Sequence, residues 1–377
     1  MHSLFHLPPG IYLLSHSVGC LPKSTIEAQD DFFRLWQTKG GDAWDEWLAH
    51  IDAFCDSLAG LFNGRPNQFC PQVNISSAVT KIIAALPPRP GKNIILLSEL
   101  DFPSVGFTLE QAQRLGYQIK RIPADQEGPL QRPFSLDRWA EYLTPDVQVA
   151  LITHVLYGNS YRNPVKEIIA LARQQDIYTI IDIAQAAGIV PIDLQAWNAD
   201  FVAGSCIKWL CGGPGAGFMW VNDEILGQLR PLDVGWFSHE NPFEFDITRF
   251  RYAPDARRFW GGTPSVLPYI IARAGIEQIM AIGLETIQAH NHILTGHLVQ
   301  TAQENNWPLL TPADSAQRGG TICIGFPNAA EIVNALQKAQ IKVDARPTFG
   351  VRFSPHIYTT QSQIQETTTT LQKITQP

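Results

Sequence analysis

The sequence predicts an α/β fold, with a mainly parallel sheet flanked by helices in a large domain and a smaller α/β domain at the C-terminal end. Three observations carry that prediction. Short, continuously apolar runs recur through the middle of the chain, at the length of strands buried on both faces. A segment with helix-period apolar residues separates two of those runs. After Pro268 the texture changes to a long helical stretch followed by alternating strands and helices.

The elements follow in order. Asn93 to Leu97 (NIILL), Val147 to Thr153 (VQVALIT) and Tyr178 to Ile183 (YTIIDI) read as buried parallel strands. Val165 to Gln174 puts apolar residues at 165, 168, 169, 171 and 172, one face of a helix. Asp200 to Ala203 and Gly217 to Val221 extend the series, and Val79 to Leu86 reads as an apolar helix. Strand, helix, strand at this spacing implies crossover units that bury a sheet between helices. Beyond it, a helical stretch from about Ile270 to Asn305 breaks near Gly283. It is followed by a strand (Thr321 to Phe326), a helix (Ala329 to Gln340), a strand (Gly350 to Phe353) and a helix (Ser362 to Ile374). A boundary falls near residues 265–285, dividing the chain into an N-terminal arm (1–30), a large domain (31–268) and a small domain (269–377). The arm is expected to join the small domain or the entrance of the site.

Composition narrows the class. At 377 residues the chain exceeds what one core usually organises. Its 45% apolar and 17% charged residues suit a packed soluble enzyme. A formal charge of −7 with scattered Lys and Arg argues against a nucleic-acid surface. The opening residues lack a basic head, an apolar stretch and a cleavage site, and no window of about 20 apolar residues occurs, so neither a signal peptide nor a membrane span is expected. Six dispersed cysteines suit reduced, buried thiols in a cytoplasm. No metal site is expected. Cys206 and Cys211 lack a second pair, and His290, His292 and His297 do not share one helix face.

The candidate chemistry centres on Lys208. In Asp200-Phe-Val-Ala-Gly-Ser-Cys-Ile-Lys208-Trp-Leu-Cys-Gly-Gly-Pro-Gly, a strand delivers a lone lysine and a Gly-rich turn follows. Among apolar neighbours such an amine can lose its proton and act as a nucleophile; an exposed lysine beside a turn fits the same string. Asp182 ends a strand, where doubly wound sheets place ligand contacts; a helix cap is the other reading. Ser76, Ser77 and Ala78 open an apolar helix whose free N–H groups suit a phosphate, or Ser serves as an ordinary cap. Phe102 follows a strand and suits the flat face of a ring, or the core.

Phosphate cradle, aromatic, Asp, then Lys is the running order of pyridoxal 5'-phosphate (PLP) enzymes of fold type I. The chain resembles the class V aminotransferase superfamily and, within it, kynureninase over nearly its whole length. The resemblance rests on Tyr12 to Lys23 (YLLSHSVGCLPK), Phe102-Pro103-Ser104, the Lys208 segment and Gly235-Trp236-Phe237-Ser238-His239-Glu240. Arg258-Phe259-Trp-Gly-Gly-Thr263-Pro264 and Val351-Arg352-Phe-Ser-Pro-His-Ile-Tyr358 complete it. It implies that Lys208 holds PLP as a Schiff base and moves the Cα proton, while Asp182 pairs with the pyridine nitrogen. Phe102 would stack on the ring, and Ser77 and Ala78, with Ser76 beside them, would bind the phosphate. Arg352 would grip the substrate carboxylate and Trp236 would line the substrate side. Thr263 would reach the phosphate of a neighbouring subunit in a homodimer.

Departures bear on the reaction. A Tyr precedes the lysine in kynureninases, and here it is Ile207; the Asp after the FPS motif is Val105. Gln185 stands where kynureninases have His, as in cysteine desulfurases, where the Gln contacts the PLP phenolic oxygen. The opening Gly-Asn-Ser is Ser15-His16-Ser17, and Cys206, His154 and Tyr157 are the neighbours that could compensate. The leading expectation is a kynureninase-like hydrolase. A class V aminotransferase, epimerase or β-lyase acting on another amino acid is the alternative, ahead of a noncatalytic PLP-fold protein. A desulfurase is disfavoured because Cys323 lies within an apolar strand.

Overall fold

The computed structural model describes residues 1–124 and 135–375. Among them a seven-stranded sheet forms from Phe69–Gln72 (β1), Ile94–Ser98 (β2), Gln118–Ile122 (β3), Val147–Thr153 (β4), Tyr178–Asp182 (β5), Phe201–Ser205 (β6) and Gly217–Val221 (β7). Their spatial order is β1-β7-β6-β5-β4-β2-β3. Strands β2 to β6 are mutually parallel. Strand β7 runs antiparallel to both β6 and β1, because the loop 206–216 is too short for a crossover helix.

β4 and β5 are buried at every position. Side chains alternate between faces along a strand, so Ala150 and Ile152 enter one core with the helices Trp44–Phe62, Val165–Gln174 and Leu267–Ile282. Val149 and Leu151 enter another core with Ile75–Ala85 and Pro103–Glu110. Two strands escape the apolar-run criterion. β1 (FCPQ) contains Pro71 and is tolerated at the sheet edge. β3 (QIKRI) is the opposite edge, exposed along one side, so its pattern is polar.

Beyond Gly283, where φ is +89°, the helix Leu284–Glu304 departs at 78° from its predecessor. A three-stranded antiparallel sheet follows, of Ile322–Ile324 (β8), Asp344–Arg346 (β9) and Gly350–Phe353 (β10), in the order β8-β10-β9. The helices Leu284–Glu304, Ala329–Lys338 and Gln361–Thr375 share a third core with it, which also takes in Ile11 and Leu13 from the arm.

The arm reaches both expected places. Ile11–Tyr12 pairs in parallel with Ile341–Lys342, and Gly19 N–H donates to Ile207 O at 2.8 Å. A side chain on Gly19 would put its Cβ 2.1 Å from Lys208 O, so only glycine lets the arm lie this close to the lysine loop. Among the described residues no single helix is long and apolar enough to cross a membrane, no cluster of metal-ligating side chains forms, and the six cysteines are free and buried.

Candidate functional site

A cavity of about 360 Å³ opens at the C-terminal ends of the parallel strands, where this sheet architecture places ligands. Thr153 ends β4, Asp182 ends β5 and Ser205 ends β6, and all three line it together with Lys208. Parallel register explains the convergence, since Thr153 stands opposite Asp182 and Asp182 opposite Ala203.

Asp182 is buried, and Ala184 N–H donates to its Oδ1 at 2.8 Å. No described residue bonds its Oδ2. Burial pushes its carboxyl up, against the opposing effects of that N–H and of Lys208. Behind Thr153 lies a second buried acid, Asp101, which accepts from Thr153 Oγ1 at 2.6 Å and from Ser98 N–H at 2.7 Å. Burial pushes its carboxyl up to about 7, with the nearby Asp182 charge adding to the effect.

Lys208 sits in the loop between β6 and β7, whose base is closed by Cys206 N–H donating to Ala216 O and Gly212 N–H to Cys206 O. Its Nζ is 5.8 Å from the centroid of the Phe102 ring. Burial lowers its pKa to about 8, with Asp182 opposing and Arg352 reinforcing the shift, so a useful fraction of the amine is unprotonated near neutrality. The glycines after it serve the turn and its packing rather than a ligand. Gly213 and Gly215 have φ of +68° and +93°, and a Cβ on Gly212 would press on Ala272 and Cys206.

The helix N-terminus that faces the cavity begins upstream of Ser77. Helix Ile75–Ala85 is capped by Asn74, whose side chain accepts from Ser77 N–H at 2.9 Å, while Ala78 N–H is spent on Asn74 O at 3.1 Å. The backbone N–H groups of Ser77 and Ala78 are therefore engaged within the cap, and the Ser77 hydroxyl is the donor that pair still carries. Asn74, Ile75 and the expected Ser76 line the cavity, and among the described residues the N–H groups of Ile75 and Ser76 are left as the open donors of a helix N-terminus.

Phe102 lines the cavity with 44% of its surface exposed. Tyr157 meets it edge-on, ring centroids 5.1 Å apart, and meets Phe349 at 5.5 Å. Gln185 lines the cavity too, donating from Nε2 to His16 O at 3.0 Å and accepting from Trp209 Nε1 at 3.2 Å, which leaves one Nε2 hydrogen free. Of the three neighbours that could compensate for Ile207, Tyr157 reaches the cavity. His154 points to the opposite face, its ring 4.9 Å from Trp197, and Cys206 is fully buried outside the lining.

Three expected substrate-side residues do not line the cavity itself. Arg352 is 3% exposed and absent from the lining. Its Nε and Nη2 donate to Asp344 at 2.9 and 2.6 Å, and its Nη1 donates to Tyr157 O at 3.0 Å. Burial would raise the Asp344 carboxyl, but His16 and Arg352 outweigh it and hold the group well below the usual carboxylate range. Trp236 and Thr263 lie away from the cavity, joined by Nε1–H donating to Oγ1 at 3.3 Å. Trp236 lines a separate apolar groove with Phe245, Ile247 and Phe250.

Several lining groups escape sequence reasoning: Asn74, Ser104, Thr153 and Ser205. Ser205 carried the available signal, since it ends the strand that delivers Lys208. As a set, the groups suit a phosphorylated, aromatic aldehyde with a basic ring nitrogen. A helix N-terminus suits the phosphate, Phe102 the ring face, the unpartnered Asp182 oxygen a protonated nitrogen, and the Lys208 amine a carbonyl.

Similarity to known proteins points the same way. The family model for aminotransferase class V matches residues 11–367. A kynureninase of Deinococcus radiodurans is 29% identical, over 93% of this chain and 86% of its own length. An aminotransferase of Bacillus subtilis, YcbU, described as uncharacterized, is 25% identical over 94% and 91%. Among solved structures, the cystine C-S lyase C-DES in complex with cysteine persulfide superposes with a TM-score of 0.87 at 21% identity, covering 97% of this chain and 98% of that one. The cysteine desulfurase of Thermococcus onnurineus NA1 gives 0.85 at 19% identity, covering 97% and 94%.

Proposed function

The chain belongs to the aminotransferase class-V family, and on that premise we propose that it is a PLP-dependent enzyme acting on an amino acid, with Lys208 as the residue that captures the cofactor. The observation that carries this reading is the meeting of Lys208, Asp182, Phe102 and the Ile75 helix N-terminus around one cavity. When bound, PLP supplies a carbonyl for amine capture and a ring that accepts the electron pair left at Cα.

The chain's own groups divide the remaining work. The Ile75 and Ser76 N–H groups hold the phosphate. Phe102 covers one ring face, and the open Asp182 oxygen holds the proton on the ring nitrogen, which keeps that ring an effective electron sink. Lys208 Nζ would take the Cα proton; a pKa of about 8 suits an acid–base group near neutrality. Arg352 provides the positive charge for the α-carboxylate. The separation of Trp236 and Thr263 from the cavity of their own chain is consistent with service to a partner's site in a homodimer. A division of the chain into arm (1–30), large domain (31–268) and small domain (269–377) accompanies this reading, and the bend between the helices at Gly283 supports a change of unit within residues 265–285. Six free cysteines support a reducing compartment such as the cytoplasm.

For the reaction, we propose kynureninase-like hydrolysis. Water adds to a γ-carbonyl, the Cβ–Cγ bond breaks, and kynurenine yields anthranilate and alanine. The likeness to kynureninases supports it, and Tyr157 brings a phenol to the cavity wall in place of the one missing at Ile207. That Ile207 carries no acid favours a second reading, an aminotransferase, epimerase or β-lyase reaction that needs only Lys208, the electron sink and the carboxylate grip. Incubating the holoenzyme with L-kynurenine and with 3-hydroxykynurenine separates the two. Release of anthranilate or its 3-hydroxy form, lost in Tyr157→Phe, supports hydrolysis; no release, with conversion of the cofactor to its amine form by other amino acids, supports transamination.

A further inference from the structure

The Arg352 guanidinium is held in an unusual way for a group awaiting an anion. Asp344 on β9 and Arg352 on β10 are directly opposite in antiparallel register, the separation at which cross-strand charges meet. Asp344 takes the Nε–Nη2 edge side-on, and Tyr157 O takes one N–H of Nη1. A guanidinium carries five N–H groups. With three engaged, one remains on Nη1 and one on Nη2. Asp344 thus leaves the end-on edge between Nη1 and Nη2, the other edge that a carboxylate can grip in bidentate fashion.

Asp344 is itself restrained from two further sides. Arg346 Nη1 stands 3.0 Å from its Oδ2. His16 Nε2 stands 3.0 Å from its Oδ1, off the line of a well-formed hydrogen bond. The other ring nitrogen of His16 is 2.6 Å from Ser354 Oγ, which is 2.8 Å from Thr321 Oγ1. The carboxylate thus has its place fixed by the arm and by its own strand.

We propose that Asp344 is a positioning residue: it aims Arg352 by its side edge, so that the end-on edge meets the carboxylate of an incoming amino acid. The inference rests on the reading of Arg352 as the carboxylate grip. Asp344 touches neither substrate nor cofactor, and acts through the orientation of its partner. A misplacement of about 1 Å in a substrate-positioning group costs on the order of 100-fold in rate, so the aim matters as well as the charge.

The test titrates holoenzyme with L-alanine and with ethylamine, the same skeleton without the carboxylate, following cofactor absorbance. Two variants are used. Asp344→Asn loses the charge and one acceptor; Asp344→Glu keeps the buried guanidinium neutralised, which protects folding, but shifts its position by one methylene. Both are expected to weaken L-alanine binding by roughly 10- to 100-fold and to leave ethylamine and PLP binding unchanged. Equal losses for L-alanine and ethylamine, wild-type behaviour of the Glu variant, or tighter L-alanine binding in the Asn variant each overturn the positioning role. Tighter binding would mark Asp344 as a competitor for the edge. A wild-type enzyme with no preference for L-alanine over ethylamine refutes the Arg352 grip itself, leaving the Lys208 assignment standing.

Discussion

The two halves of the site are prepared differently. At the parallel strand ends, groups are left open: one Asp182 oxygen, the first N–H groups of the Ile75 helix, and a Lys208 amine with a depressed pKa. On the antiparallel C-terminal sheet, the central cation is already answered by Asp344, Arg346 lies beside that pair, and Tyr157 O takes a third donor. Open, desolvated polar groups are costly unless something binds them. On the proposed reading, the first half suits a resident cofactor and the second a visiting substrate carboxylate.

If that division is right, disabling one half should spare the other. Asp182→Asn is expected to reduce turnover by roughly 100- to 1,000-fold, while L-alanine still perturbs the spectrum of whatever PLP remains bound. Arg352→Ala should weaken L-alanine binding on the order of 100-fold and leave PLP affinity near the wild-type value; parallel losses of both ligands would break the comparison. A smaller effect comes from pH. Only the unprotonated Lys208 amine attacks a carbonyl, so PLP capture by the apoenzyme should slow as pH falls below about 8 and level off above it, roughly tenfold per unit on the falling limb. Stopped-flow absorbance measures this, and a rate that keeps rising about tenfold per unit from pH 8 to 10 contradicts a depressed lysine. A smaller effect again belongs to Asn74→Ala, which removes the helix cap and should cost about 1 kcal/mol in denaturant unfolding. Ser77→Ala, which keeps its N–H on the cap, should cost less.

How much of this was legible in the sequence follows from the kind of signal each part leaves. Strands β4 and β5 are buried on both faces and spell apolar runs, and Asp182 and Lys208 stand at strand ends in recognisable strings. Edge strands β1 and β3 carry Pro71 and a polar face, so their composition hides them. The reversal of β7 depends on the length of one loop rather than on the strand's residues. The cap itself was not legible, because Ser76 and Ser77 look like caps whereas Asn74 holds that position. The pairing of Asp344 with Arg352 was beyond reach. It exists only through the register of two short strands across a turn, and nothing in either residue's neighbourhood announces it.

The measurement that bears most directly on the central claim is chemical. Purified protein is incubated with PLP, reduced with borohydride, digested and mapped by mass spectrometry. The phosphopyridoxyl label is predicted on Lys208 alone, with bleaching of a yellow holoenzyme and no label in Lys208→Ala. A protein that takes up no PLP, or one labelled instead at another lysine such as Lys81, contradicts the account.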